Sequence, residues 1–196
     1  MMILVLFIVI AYLIGAIPCG VILTRLTGCE DVRKAGSGNI GATNVYRVAG
    51  RKLGVITLLL DTLKGVIPVL IALKLFPDNP TAVALVASAT FLGHLYPVYI
   101  GFKGGKGVAT ALGIFLVLSP LAILIALVLF VSVVWQWRYI SLGSITAAAA
   151  CPFLIALVEC SAPLFLAGLF ISGMVIFRHR GNIQRLREGT ENKFKL

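Results

Sequence analysis

Charge is what this chain has least of. Only 12% of its 196 residues are Asp, Glu, Lys or Arg, 60% are hydrophobic, and the mean hydropathy is +1.05. Such values exclude a soluble domain and describe an integral membrane protein. Residues 2 to 24 carry no charge at all, and at 1.5 Å per residue they reach about 35 Å, enough to cross a hydrocarbon core of roughly 30 Å. A basic segment ahead of that run is also missing, so no cleavable signal peptide is expected: the first basic residue, Arg25, comes after it. Cysteine is sparse as well. Cys19, Cys29, Cys151 and Cys160 show no Cys-x-x-Cys spacing, so most of them read as small apolar packing residues. No aromatic-lined platform accompanies the basic residues, and nucleic acid is excluded as a partner on that ground. There is no internal repeat and no soluble domain.

The apolar segments that remain define an all-α, polytopic architecture. After the first run they cover about 53–75, 81–100, 108–119, 120–137, 141–158 and 162–177, which predicts seven transmembrane helices. Two fusions, 108–137 and 141–177, give a five-helix alternative. With the N-terminus outside and the C-terminus cytosolic, the seven-helix reading places fifteen of the seventeen Lys and Arg on the cytosolic side. The net charge of +10 is then a matter of orientation and of attraction to anionic lipid headgroups. One domain is expected over 1–196, with cytosolic segments at 33–52, 101–110 and 178–190.

Three polar, glycine-rich segments fall on that cytosolic side. The first runs from Gly36 through Ser37, Gly38, Asn39, Gly41, Thr43 and Asn44. Its glycines free the backbone so that N–H groups can turn toward an oxyanion, and its Ser, Thr and Asn side chains add donors. From Ile40 an apolar stripe of Ala42, Val45, Tyr46, Val48 and Ala49 alternates with a face of Thr43, Asn44 and Arg47, predicting a short interfacial helix. A phosphate at its N-terminus would meet free N–H groups, the positive helix end and Arg47.

The second segment, Lys103-Gly104-Gly105-Lys106-Gly107, is no nucleotide P-loop. Ile100 stands where a Walker A motif requires glycine, and Gly107 where it requires Ser or Thr. Lys106, just ahead of a helix from Val108 with Thr110 on its first turn, can still reach a phosphate at that helix end. In the third segment His179 and Asn182 lie three apart where the last span emerges. Arg185, Arg187, Lys193 and Lys195 beyond them read as a snorkelling basic tail. Within the membrane, Asp61 and Lys64 lie one turn apart. Isolated charges there would cost several kcal/mol, so they are expected to pair with each other or with His94. Together these residues form either a floor beneath the site or an interhelical brace.

The residues Ser37-Gly-Asn39-Ile-Gly41-Ala-Thr43-Asn44 with Arg47, Gly104-Gly-Lys106-Gly-Val-Ala-Thr110, and His179-Arg-Gly-Asn182-Ile-Gln-Arg185-Leu resemble, in order and spacing, the three signature motifs of bacterial PlsY-type acyl-phosphate:glycerol-3-phosphate acyltransferases. The resemblance implies an enzyme of the bacterial inner membrane that is active at the cytosolic face. It would move a fatty acyl group from a long-chain acyl phosphate to the 1-hydroxyl of glycerol 3-phosphate, giving lysophosphatidate and phosphate in phospholipid synthesis, with membrane lipid as surroundings. No metal and no nucleotide cofactor are implied. Ser37, Lys106, His179 and Asn182 are the expected catalytic set. Gly38, Asn39, Gly41, Thr43, Asn44, Arg47, Gly104, Gly105, Gly107 and Thr110 would bind substrate or phosphate, with Asp61, Lys64 and His94 behind them.

The His-x4-Asp signature of another acyltransferase class is absent, because Tyr99 and Gln184 stand at the Asp positions. The hydroxyl proton would therefore go to the departing phosphate or to His179. A transporter of phosphorylated metabolites is the competing class. The confinement of the polar segments to one face, and the lack of matched halves, speak against it.

Overall fold

The computed structural model describes residues 1–194; Lys195 of the basic tail lies outside the described residues. Among the described residues every regular element is helical. They are α1 (Met2–Gly15), α2 (Cys19–Leu26), α3 (Ala42–Leu75), α4 (Pro80–Leu95), a 3-10 turn (Val98–Ile100), α5 (Val108–Leu118), α6 (Pro120–Trp137), α7 (Ile140–Glu159), α8 (Ala162–Arg178) and α9 (Arg180–Arg187).

Proline and glycine set most of the boundaries. Pro18 interrupts the first apolar run, so α1 and α2 meet at a 43° bend. Pro97 holds Tyr96 out of helical geometry, and α4 therefore stops at Leu95 instead of running on toward Ile100. This moves His94 from about two turns inside its helix to the last turn. Gly50 (φ 85°, ψ 171°) breaks α3 into the expected interfacial piece, 42–49, and a membrane piece, 51–75. The interfacial piece folds back so closely that a Cβ on Gly54 would collide with Tyr46.

Among the described residues four helical segments are long and apolar enough to cross a membrane, and six are when each bent pair, α1–α2 and α8–α9, counts as one. The helix α5 has 11 residues, about 16 Å by helix rise, which is short of the roughly 30 Å hydrocarbon core. Neither long helix of the five-helix alternative forms. Ser119 (φ −154°) ends α5 before Pro120 opens α6, and a left-handed Cys160 separates α7 from α8.

The chain forms two compact units, Met1–Val117 and a second that starts at Leu118. In the first, small residues let backbones approach as they do in other membrane bundles. A Cβ on Gly15 would overlap the Thr90 carbonyl of α4, and one on Gly93 the Tyr12 carbonyl of α1; Gly65 and Gly113 seat α3 against α5 in the same way. In the second, α7 packs between α6 and α8. Large apolar side chains point outward: α6 buries only Ala122, Ala126 and Val133, leaving Leu121, Val128 and Trp135 exposed. Several hydroxyl side chains within the spans bond to their own helices, as Thr57 does to the Leu53 carbonyl at 2.8 Å and Thr90 to Val86 at 2.9 Å. Cys19 and Cys151 are buried as expected of packing residues, whereas Cys29 is half-buried and Cys160 exposed.

Candidate active site

The first polar segment is organised from within by Asn44. Its Nδ2 donates to the carbonyls of Val32 (2.8 Å), Ala35 (3.1 Å) and Asn39 (2.9 Å), and its Oδ1 accepts from the Ser37 N–H at 2.8 Å. Asn44 is 2% exposed, and its amide is engaged in shaping the loop. Asn39 acts similarly, its Oδ1 accepting from the Gly41 N–H at 2.8 Å. The Gly38 N–H donates to Ala35. The N–H groups of Ser37, Gly38 and Gly41 are therefore turned into the loop, not toward an anion.

What this architecture leaves on offer is the first turn of α3. Gly41 precedes it without a side-chain cap, so the Ala42 and Thr43 N–H groups head the helix at its positive end. The exposed Ser37 lies just before it and the exposed Arg47 one turn along. Beneath the loop, Val21, Val32, Ile40 and Val45 form a small core against which Ile100 packs. The first segment and the approach to the second are thereby joined within one unit. An open cleft of about 580 Å³ beside them is lined by Ile17, Val21, Ile22, Leu26, Tyr99 and Ile100, and by Arg25 and Arg33.

The second segment is a loop pressed onto the end of α4. The Gly105 N–H donates to the His94 carbonyl at 3.2 Å. A Cβ on Gly104 would strike the same carbonyl, one on Gly105 the imidazole Nε2, and one on Gly107 (φ 81°) the Phe91 ring. These three glycines are demanded by contact with α4, and the Gly105 N–H is not directed at a ligand. Lys106 emerges half-buried between them. Thr110 is fully buried, its hydroxyl 3.1 Å from His94 Nδ1. Behind it Asp61 and Lys64 form the expected ion pair at 2.8 Å, with His94 Nδ1 3.9 Å from Asp61. Lys64 also donates to the Ile17 carbonyl at 2.8 Å, satisfying a backbone group that the α1–α2 break leaves without a helical partner.

In the second unit His179 sits at the joint of α8 and α9, 2% exposed. Its Nδ1 lies 2.8 Å from the Val175 carbonyl. A carbonyl can only accept, so Nδ1 carries a proton; in the neutral ring Nε2 is then the acceptor, the tautomer a general base needs. Asn182 is buried too, its Nδ2 donating to Glu191 at 2.7 Å. Glu191 also accepts from Ser141 (2.7 Å) and from Arg185 Nε (2.7 Å). Burial alone would push its carboxyl up, but the bonds from Asn182, Ser141 and Arg185 outweigh that and hold it below the usual carboxylate range. Sequence reasoning missed Glu191 and Ser141. The available signal was an acid in a tail otherwise read as basic, and it also removes Arg185 from the snorkelling set.

Fold and site together define a membrane-embedded enzyme that handles phosphorylated substrates. A family model described as glycerol-3-phosphate acyltransferase matches residues 5–189, and the chain belongs to that family. It is 64% identical over 185 residues to the glycerol-3-phosphate acyltransferase of Syntrophotalea carbinolica, covering 94% of both chains. It is 58% identical over 186 residues to that of Geobacter sulfurreducens, covering 95% of both. Among solved structures it is similar to PlsY, an integral membrane glycerol 3-phosphate acyltransferase, in its glycerol 3-phosphate form. The TM-score is 0.94 at 41% identity, covering 98% of this chain and 96% of that one. A lysophosphatidic acid form of PlsY matches with a TM-score of 0.91 at 40% identity, covering 98% and 95%.

Proposed function

We propose that this chain transfers a fatty acyl group from a long-chain acyl phosphate to the 1-hydroxyl of glycerol 3-phosphate at the cytosolic face of the bacterial inner membrane, as one acyltransferase domain. The observation that carries the reading is the anion-ready start of α3, with Ser37 and Arg47, in the same unit as an apolar cleft that Arg25 and Arg33 also line. Phosphate head and acyl chain of one ligand call for that combination. The glycerol hydroxyl oxygen attacks the acyl carbonyl carbon, the bond from that carbon to the phosphate oxygen breaks, and inorganic phosphate leaves. Lys106 holds the phosphate of glycerol 3-phosphate and stabilises negative charge as it develops. The hydroxyl proton passes to the departing phosphate, with His179 Nε2 as the competing acceptor. A His179→Gln enzyme with near-normal kcat assigns the proton to phosphate, and a fall of about 10²–10⁴ assigns it to the histidine.

The test is product formation. The purified protein in lipid, given palmitoyl phosphate and labelled glycerol 3-phosphate, should release labelled lysophosphatidate with one equivalent of phosphate, and Lys106→Ala should abolish it. Uptake of label into vesicles without acyl phosphate would favour a transporter instead.

Seven crossings, with the N-terminus outside, belong to the same proposal and are supported by the distribution of Lys and Arg. This topology places Cys160 outside and Cys29 inside. A membrane-impermeant thiol reagent applied to intact cells should label Cys160 alone. Labelling of Cys29 instead would reverse the orientation, and protection of both would reduce the number of crossings.

A further inference from the structure

The reaction uses neither Asp61, Lys64 nor His94, yet two charges are buried here in a membrane protein, Asp61 at 2% and Lys64 at 5% exposure. A buried ion pair is weak evidence for stability, because apolar packing of the same volume does as well or better. What this pair does have is an unbroken set of contacts running to the glycine loop. Lys64 is anchored on the Ile17 carbonyl and on Asp61, Asp61 faces His94 Nδ1, and that nitrogen meets the Thr110 hydroxyl on α5. Thr110 is itself fixed, since Gly65 of α3 admits its carbonyl at a distance that no Cβ would allow. On its opposite edge the His94 ring lies flush against Gly105, and the His94 carbonyl accepts the Gly105 N–H. The short connection 103–107 is therefore clamped at α4 by His94 and at α5 by the partner of His94.

We propose that His94 is a positioning residue for acyl transfer: set between the Asp61–Lys64 pair and the backbone of Gly105, it holds the 103–107 loop in the shape that lets Lys106 meet the phosphate of glycerol 3-phosphate. This rests on the reading of Lys106 given above. The sequence leaves open a floor beneath the site or a brace between helices. The geometry makes the group a floor, because its last member touches the loop and not only another helix. Binding of glycerol 3-phosphate should depend on it, and binding of the acyl donor should not.

The experiment is steady-state kinetics with palmitoyl phosphate, together with calorimetric titration of glycerol 3-phosphate, on the full chain in lipid. His94→Phe keeps a ring of similar volume and loses both nitrogens; His94→Asn restores a polar group near Nδ1; Thr110→Val removes only the hydroxyl. For His94→Phe the KM and Kd for glycerol 3-phosphate should rise about tenfold, as expected for a ligand-binding group displaced by a fraction of an ångström. The KM for palmitoyl phosphate should stay within about twofold, while kcat should fall as well because Lys106 also stabilises the developing charge, with His94→Asn intermediate. In a Lys106→Ala background the Kd should not rise further, since the two residues act through one contact. If His94→Phe does not fold, Thr110→Val carries the same prediction.

Unchanged affinity in both variants would overturn the proposal, as would equal damage to both substrates accompanied by a fall in unfolding temperature, which is what a brace predicts. A normal Kd in Lys106→Ala would instead remove the underlying reading of the loop. A raised Kd there with a normal one in His94→Phe would remove only the present inference.

Discussion

The segments 33–47 and 179–191 are both ordered by buried hydrogen bonds, and by opposite means. In the first, one neutral amide, Asn44, shapes the backbone through four hydrogen bonds, and the side chains proposed to meet substrate, Ser37, Thr43 and Arg47, stay outside that lattice. In the second, a carboxylate, Glu191, gathers Ser141, Asn182 and Arg185 directly, so that Asn182, the one of the three expected to meet substrate, is already held by charge. The difference follows from what must be fixed. A loop needs its carbonyls satisfied, and a primary amide with two donors and an acceptor does this without adding charge. Side chains on a helix need orienting, and a carboxylate accepts several charge-assisted bonds at once.

Asn44→Ala should have the largest effect, because it strips partners from the Ser37 N–H and from three carbonyls. At about 1–3 kcal/mol for each buried group left unsatisfied, even partial rehydration leaves a loss of at least about 3 kcal/mol and an inactive loop. Asn44→Asp should not rescue it, since a carboxylate would face three carbonyls. Unfolding temperature and acyl transfer, read on the same samples, check both.

Glu191→Gln ranks next. It removes the charge but keeps one acceptor, and should cost about 1–2 kcal/mol, less than a full charged bond because Arg185 is partly exposed. The same carboxylate gives a pH signature. Its folded pKa lies below the unfolded value, so its contribution is complete above roughly pH 4.3 and is lost as pH falls through the folded pKa. Stability of the Gln variant should accordingly lose that acid-side slope, measured by unfolding between neutral pH and the acid limit.

Gly38→Ala sharpens the comparison from the backbone side. At φ 69° the new Cβ finds only ordinary contact, 3.4 Å from the Arg33 carbonyl, so strain alone remains, about 1–2 kcal/mol. The smallest effect belongs to Arg33→Ala. Its bonds hold the Asp31 carboxyl well below the usual range, but the pair is exposed and its loss should shift stability by no more than about 1 kcal/mol.

Much of this was legible in order along the chain. The helical membrane class, the polar segments, a short helix after Ile40 and the Asp61–Lys64 pair all follow from local composition and spacing. Tertiary roles were not. An asparagine in a glycine loop has the same sequence signature whether its amide faces a phosphate or its own backbone, and Thr110 on a first turn has no mark that it points at His94. The glycines of 104–107 suggested an anion cradle, whereas their contacts show that α4 requires them. Pro97 marks the true end of α4 and so places His94 beside the loop. Glu191 escaped notice because its donors, at 141, 182 and 185, are joined only by folding.

The most direct test of the account is the choice of acyl donor. Purified protein in lipid, with labelled glycerol 3-phosphate, should be offered palmitoyl phosphate or palmitoyl-CoA in separate reactions. The account predicts labelled lysophosphatidate from palmitoyl phosphate alone; product from palmitoyl-CoA, or from neither donor, would contradict it.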